Sequence, residues 1–406
     1  MSGGGKHLVV VGTGVAGFRT AQVARQSGWV GDITIVGDQH HLPYDLPPLS
    51  KQVLQGIWDS SRSALVTADE LAALCIEYIA ADPAERLGIA AGTVVLRSGL
   101  RLTYDALVIA TGASATSWPG AEGVHTLRTL DDAERLRDHL AGARDVVVIG
   151  SGFVAAEVAA TVSSAWSATV HLVCRGDGPC HRSIGAPAAR WLRTVHEANG
   201  VVVHAGCSAQ SVEKLDGLRH EVTLDDGTRI EADVVVAGLG AAPNIGWLRG
   251  SGVPIDGGIL TDDVGTVLGA ATDRPIYAVG DCAQWQWQGR REPRGQHWTR
   301  ATEQARAVGG LLGSGEAGDE KKPLPYVWSD QFGAKLQIIG DIDQRDDVAR
   351  VTSTATTFLS VHAKDGVVMG VVVAGQPRLA IQLRRMVREA ADLKTVLDAV
   401  PPVPTA

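Results

Sequence analysis

Two strand–glycine turn–helix units set far apart in one chain of 406 residues, and a tail of short strands closed by a helix, predict an α/β fold. It has two Rossmann-like domains and a C-terminal α+β domain. The first unit runs from an apolar strand at His7–Val11, through a glycine turn, into a helix at Val15–Gln26, and on to a β-branched strand at Asp32–Val36. At roughly 30 residues it has the size that a parallel crossover requires. The second repeats the pattern with a strand at Asp145–Ile149, a helix ending near Ser164 and a strand over 169–173. Three more apolar runs end in small residues: 106–110 before Thr111-Gly112, 233–237 before Gly238-Leu239-Gly240, and 276–279 before Gly280-Asp281. Each fits a buried parallel strand. From about Tyr326 the pattern changes to strands at 335–339, 356–362 and Val367–Ala374, then a helix over 379–391. Residues 313–325, with Gly, Glu, Lys and Pro, read as the linker before that domain.

Composition removes several classes of function. Charged residues are 20% and apolar residues 45%, as in an ordinary globular protein. No run of about 18 apolar residues occurs, so no membrane span is expected. The N-terminus enters a strand pattern without a signal peptide's cleavage region. A net charge of −8 argues against generic nucleic-acid binding, which needs a basic face. The five cysteines (Cys75, Cys174, Cys180, Cys207, Cys282) contain no C-x-x-C pair, so neither a zinc site nor a disulfide framework is expected. Reduced thiols and a cytoplasmic location follow from that usage.

The 48 glycines carry the functional signal. Gly12-Thr13-Gly14-Val15-Ala16-Gly17 is G-x-G-x-x-G with a strand before it and a helix after it. Asp38 stands 21 residues beyond Gly17, where a carboxylate can accept hydrogen bonds from ribose hydroxyls. Glycine lets the backbone approach a pyrophosphate held at the helix N-terminus, so this unit is expected to bind a dinucleotide. Gly313-Ser314-Gly315-Glu316-Ala317-Gly318 fits the same pattern but lacks a strand before it, and reads as a flexible loop. The second unit has Gly150-Ser151-Gly152-Phe153-Val154-Ala155. Nineteen residues past Ala155 stands Cys174 followed by Arg175, with no acid to accept a 2′-hydroxyl. Arg175 could meet a 2′-phosphate, which favours NADPH, or it could be a solvated loop residue.

Four stretches resemble a known family: His41-Leu42-Pro43-Tyr44-Asp45-Leu46-Pro47-Pro48-Leu49-Ser50-Lys51, Ala110-Thr111-Gly112-Ala113, Tyr277-Ala278-Val279-Gly280-Asp281, and Trp328-Ser329-Asp330-Gln331-Phe332-Gly333. With the two glycine motifs they make the sequence similar, over about residues 7 to 395, to the FAD-dependent pyridine nucleotide-disulfide oxidoreductases. Within these it resembles the ferredoxin reductases of the putidaredoxin, rubredoxin and aromatic-dioxygenase type. The resemblance implies an FAD domain at 1–115 and 244–322, an NAD(P)H domain at 116–243 and a C-terminal domain at 323–406. It implies that Gly12, Gly14, Val15, Ala16, Gly17, Asp38, Ala110, Thr111, Gly112 and Asp281 bind FAD, with Asp281 on the ribitol. Pro47, Pro48 and Lys51 would border the isoalloxazine ring, Lys51 near its N5 edge and paired with Glu157. A cation there stabilises the negative charge that hydride transfer brings, and a carboxylate fixes the cation. Trp298, Ala301 and Gln304 match the helix aimed at the flavin's pyrimidine end, and Trp328 would wall the site. For NAD(P)H the implied set is Gly150, Gly152, Phe153, Val154, Glu157, Arg175, Arg182 and Gly240.

Departures from the family pattern matter as well. Leu46 stands where Arg is frequent, Gln296 where Glu is usual, and Cys174 where an acid is usual. NADPH or NADH is the expected coenzyme, with NADPH favoured. No cysteine lies between His41 and Lys51, so no thiol relay beside the flavin is expected. Cys174, Cys180 and Cys282 read as packing thiols. The expected activity is transfer of hydride from NAD(P)H to FAD and of single electrons to a small iron-sulfur ferredoxin serving a P450 or an oxygenase. An NAD(P)H oxidase or quinone reductase, and a redox-sensing flavoprotein like apoptosis-inducing factor, remain open, as do a monomer and a homodimer. Arg290, Arg291, Arg294, Arg300, Arg378, Arg384, Arg385 and Arg388 are candidate contacts for an acidic ferredoxin; the last three could form one helical stripe, or simply a solvated helical face.

Overall fold

A computed structural model describes residues 5–217, 219–270, 272–291, 297–316, 324–343 and 347–400. The chain groups into two compact units. The first holds Met1–Asp45, Ser61–Ser114 and Ala242–Pro323; the second holds Leu46–Ser60, Ala115–Ala241 and Leu324–Ala406. The segment 46–60 therefore groups with the second unit, as does the C-terminal region.

The first unit is built on a five-stranded parallel sheet in the order Ile276–Ala278, Ala106–Ile109, His7–Val11, Asp32–Val36, Ile76–Ile79. Its central strands read as unbroken apolar runs because both faces are covered. Val9, Val10, Leu107 and Val108 are fully buried. Helices Val15–Gln26 and Trp298–Ser314 pack closely through small residues. A Cβ on Gly309 would lie 2.7 Å from the Thr20 carbonyl oxygen, and one on Gly313 would lie 2.5 Å from Ser27 Cβ. That seam corrects the loop reading of 313–318 at its first two residues. Gly313 and Ser314 are the last residues of the helix, and Gly315 is its left-handed cap at φ 76°. Residues 317–323 of the expected linker lie outside the described residues.

The second unit contains a four-stranded parallel sheet in the order Val201–Ala205, Thr169–Cys174, Asp145–Ile149, Val234–Ala237. A five-stranded antiparallel sheet follows in the order Tyr326–Gln331, Ala334–Gly340, Val367–Ala374, Phe358–Lys364, Asp347–Ser353. Within the unit, Trp191 of the helix His181–Ala198 packs on the antiparallel sheet: its ring lies 5.4 Å from that of Phe358, and its Nε1 donates to the Thr354 carbonyl at 2.9 Å. The C-terminal helix expected over 379–391 is Pro377–Arg388, followed by a separate helix, Leu393–Ala399. Pro at the first helical turn pre-sets φ, which moves the start two residues earlier. The strands Tyr326–Gln331 and Asp347–Ser353, and two small antiparallel sheets at 84–103 and 209–232, are additions to the sequence reading.

Candidate functional site

In the first unit the glycine turn is shaped by close backbone packing. Gly12 has φ +122°, and a Cβ there would lie 2.1 Å from the Ala110 carbonyl oxygen; one on Gly17 would lie 2.0 Å from that of Gly12. Gly14 is different, since nothing lies within 4 Å of its Cβ position. It opens the helix Val15–Gln26, whose first turn has no side-chain cap and no acidic residue. Its amide groups and dipole therefore meet that open space, which suits an anion. Thr13 packs on Gly37, where a Cβ would come within 2.4 Å of its Cγ2. Asp38, exposed, lies two residues beyond the strand Asp32–Val36. The residues present fit a dinucleotide at this turn.

The remaining expected FAD residues of this unit fall at the carboxyl ends of neighbouring strands. Ala110 donates its amide to the Val11 carbonyl at 2.7 Å. Thr111 and Gly112 follow, clamped by Asn244. Thr111 Oγ1 donates to the Asn244 carbonyl at 2.7 Å, Asn244 Nδ2 donates to the Thr111 carbonyl at 3.0 Å, and the Asn244 backbone N–H donates to the Gly112 carbonyl at 3.0 Å. Asp281 lies in a single 3₁₀ turn, Gly280–Cys282. Gly280, at φ +76°, comes so near Ala16 that a Cβ would lie 2.9 Å from the Ala16 methyl, and its amide donates to Gln304 Oε1 at 2.8 Å. Trp298 begins its helix, and its Nε1 donates to Asp45 Oδ1 at 2.5 Å. Residues 292–296, with Arg294 and Gln296, lie outside the described residues.

In the second unit the glycine turn repeats the same division of labour. A Cβ on Gly150, at φ +145°, would meet the Gly238 carbonyl oxygen at 2.2 Å, whereas Gly152 and Gly240 face open space. The helix Phe153–Ala165 also begins without a side-chain cap or an acid in its first turn. Phe153 is half-buried and Val154 is 43% exposed at its start.

One turn further along that helix is Glu157, buried and ionically paired. Lys51 Nζ lies 2.7 Å from Glu157 Oε2, with the side chains 13% and 8% exposed. Lys51 sits in a short π-helix, Leu49–Val53, and also donates to the Pro47 carbonyl at 3.1 Å. A buried ion pair persists only when its spare lone pairs are met. Ser50 Oγ donates to Glu157 Oε2 at 2.5 Å, and Ser329 Oγ donates to Oε1 at 2.6 Å. Thr161 Oγ1 holds the Ser50 carbonyl at 2.7 Å. Ser50, Thr161, Ser329 and Gln331 were not in the sequence-derived site. Period-2 alternation puts Ser329 and Gln331 on one face of Tyr326–Gln331, but the pattern does not say that this face meets a carboxylate. Both are buried there, while Trp328 is half-buried, its ring stacked 6.0 Å from that of Tyr326 and 5.9 Å from Lys335 Nζ.

Arg175 is exposed at the end of Thr169–Cys174, with its amide donating to Ser151 Oγ at 3.1 Å. Nearby Asp177 is engaged by Arg190 at 2.6 Å. Arg182 is exposed in the first turn of His181–Ala198. Burial pushes the thiol pKa of Cys174 and of Cys282 up to about 11, and raises that of Cys180 too, helped by the neighbouring Glu157 carboxylate. These three are protonated, poor nucleophiles at neutral pH. The expected arginine stripe on the last long helix does not form as drawn: Arg384 covers the Tyr326 ring at 4.5 Å, and Arg385 pairs with Glu389 at 2.9 Å. Among the described residues no helix is long and apolar enough to cross a membrane, and no group of three His, Cys, Asp or Glu is placed to hold a metal.

Residues 6–305 match the model of the family described as pyridine nucleotide-disulphide oxidoreductase, and residues 326–403 match the reductase C-terminal domain. Putidaredoxin reductase of Pseudomonas putida is 33% identical over 375 residues, spanning 89% of this chain and 86% of the relative. The benzene 1,2-dioxygenase system ferredoxin–NAD(+) reductase subunit, also from Pseudomonas putida, is 33% identical over 380 residues, spanning 92% and 90%. Among solved structures, the covalent putidaredoxin reductase–putidaredoxin complex matches with a TM-score of 0.89 at 30% identity, covering 98% of this chain and 97% of that one. With the strand order, the two glycine turns and the buried lysine–glutamate pair, these likenesses place the chain: it belongs to the pyridine nucleotide-disulphide oxidoreductase family and carries that group's reductase C-terminal domain.

Proposed function

We propose that this protein is an FAD-dependent NAD(P)H:ferredoxin reductase. The observation that carries the reading is the buried Lys51–Glu157 pair at 2.7 Å, set in a motif without cysteine. FAD, when bound, supplies what side chains lack: it accepts a hydride and gives up electrons singly. Residues 1–115 and 244–322 would hold it, its pyrophosphate over Gly14 and Gly112, and its ribitol on Asp281. Residues 116–243 would hold NAD(P)H over Gly152 and Gly240, and 323–406 would contribute Trp328. Lys51 would present its ammonium to the N5 edge, and Glu157 would keep that ammonium in place. Fixed charge aimed at developing charge requires no reorganisation during the reaction. Each NAD(P)H oxidised reduces two one-electron ferredoxins and releases one proton.

The coenzyme reading is NADPH. Cys174 offers no carboxylate to a 2′-hydroxyl, Asp177 is engaged by Arg190, and Arg175 is exposed at the strand end. The relatives named as ferredoxin–NAD(+) reductases favour NADH instead. Anaerobic addition of NADPH or NADH, with the flavin's visible band followed in time, tests both points. Rapid bleaching is expected, faster with NADPH, and Arg175→Ala should lower kcat/KM for NADPH by roughly tenfold while sparing NADH. No bleaching by either coenzyme at full FAD occupancy would sink the reductase reading. Faster bleaching by NADH would reverse the coenzyme assignment.

A further inference from the structure

Glu157 is the end of a buried hydrogen-bond chain that continues beyond Ser329. Gln331 Nε2 donates to Ser329 Oγ at 2.9 Å, and Gln331 Oε1 lies 2.7 Å from His196 Nε2. The direction of every bond is fixed by its neighbour. The amide nitrogen of Gln331 is used on Ser329, so its oxygen faces His196, and His196 Nε2 must carry the proton. Ser329 Oγ accepts a hydrogen bond from Gln331 Nε2, so its own O–H donates to Glu157 Oε1, at 2.6 Å. His196, Ser329 and Gln331 are each at most 2% exposed. Burial lowers the His196 pKa to about 4, so the imidazole is neutral at pH 7 and can keep this tautomer. The Phe332 ring, edge-on to His196 at 5.0 Å, packs against the imidazole.

We propose that Ser329, Gln331 and His196 are positioning residues that act as a one-way relay of donors, locking Glu157 so that Lys51 stays aimed at the redox centre. The inference rests on the reading that Lys51 and Glu157 serve a flavin. Donors aligned head to tail polarise one another, so the last of them strengthens its hold on the carboxylate. Glu157 Oε2 already serves Lys51 and Ser50, which leaves Oε1 dependent on Ser329. Without that donor the carboxylate can turn about its last bond and take the ammonium with it.

The test is the midpoint potential of the bound flavin, read with the transient hydride-transfer rate, in Ser329→Ala, Gln331→Leu, Ser329→Thr and the control Glu157→Gln. Ser329→Ala should weaken hydride transfer about tenfold with KM for the coenzyme unchanged, and make the potential more negative by about 30 mV, the two-electron equivalent of a tenfold change. Gln331→Leu should move both in the same direction by less, and Ser329→Thr, which keeps the hydroxyl, should restore them. A role in packing alone would lower the melting temperature and leave the potential where it was. If Glu157→Gln shifts the potential and Ser329→Ala does not, the relay is overturned and the flavin site stands. If neither shifts it, the site reading fails and takes the relay with it. Nitrogen-15 NMR of His196 in the wild-type protein gives a second readout that needs no variant to fold. The Nε2–H tautomer is expected at pH 7, and an Nδ1–H tautomer overturns the relay.

Discussion

At the scale of single residues, Lys51 is a cation with little solvent, held by one carboxylate and one carbonyl. Removing one member of such a pair leaves the other buried and uncompensated. Lys51→Met should therefore cut hydride transfer by about a hundredfold, the range seen when one electrostatic contact to developing charge is lost. Stopped-flow bleaching measures it, and a rate within threefold of wild type would remove Lys51 from the mechanism. A second residue-scale effect concerns proton linkage at His196. In the unfolded chain this imidazole takes a proton near pH 6.5, but in the folded chain only near 4. Between those values the unfolded state binds more protons, so stability is full above pH 6.5 and falls as the pH drops toward 4. The loss is on the order of 2 kcal/mol at pH 5. His125, lowered to about 4 by burial and by the neighbouring His139, acts in the same window. Urea unfolding at pH 7 and pH 5 measures the sum, and His196→Gln should shrink the difference.

At the scale of elements, each glycine turn contains two kinds of glycine that one pattern does not distinguish. Gly12 and Gly17 are required by the protein's own backbone, with Cβ positions 2.1 and 2.0 Å from carbonyl oxygens. Gly14 has ordinary backbone angles, φ −69° and ψ −178°, and open space around its Cβ. Gly12→Ala should thus unfold or strongly destabilise the first unit. Gly14→Ala should leave the melting temperature of the apoprotein within about 1 °C, because surface-like substitutions cost within about 0.5 kcal/mol. Its retention of FAD should nevertheless drop at least about tenfold if a pyrophosphate occupies that space. Equal FAD affinity in Gly14→Ala and wild type would place the dinucleotide elsewhere. The strands and helices around these turns were legible because periodicity encodes burial, as at Val9, Val10, Val147 and Val148, all fully buried. The hydroxyl and amide ring around Glu157 was not. Its members come from 50, 157, 161, 196, 329 and 331, and a polar residue in a strand carries no mark of whether its face meets water or a carboxylate. The arginine stripe failed for a related reason. Helical spacing put Arg384 and Arg388 on one face, but the ring of Tyr326, from a strand far away in sequence, had claimed Arg384.

At the scale of the whole molecule, the proposed function asks a chain with net charge −8 to receive a small iron-sulfur protein, and a partner that is itself acidic would be repelled. Long-range repulsion between two acidic proteins slows encounter, and only local positive charge can reverse it. Exposed Arg378, Arg385 and Arg388 on Pro377–Arg388 supply such charge, although Glu389 offsets part of it through Arg385. Attraction through these side chains acts over about 10 Å at 0.1 M salt and about 3 Å at 1 M. Reduction of an added ferredoxin should accordingly lose kcat/KM steeply between those salt concentrations. Reduction of a small uncharged acceptor such as a benzoquinone by the same enzyme should change far less, since it carries no charge to be steered. The reversal Arg388→Glu should lower the ferredoxin rate at low salt by several-fold, mostly through association, and the deficit should vanish at high salt. The hydride half-reaction, measured without any ferredoxin, serves as the internal reference and should be unaffected in that variant. If ferredoxin and benzoquinone rates fall together with salt, the effect lies in the hydride step or in coenzyme binding. Docking would then be steered by something other than these arginines, and apolar contact would be the next term to measure.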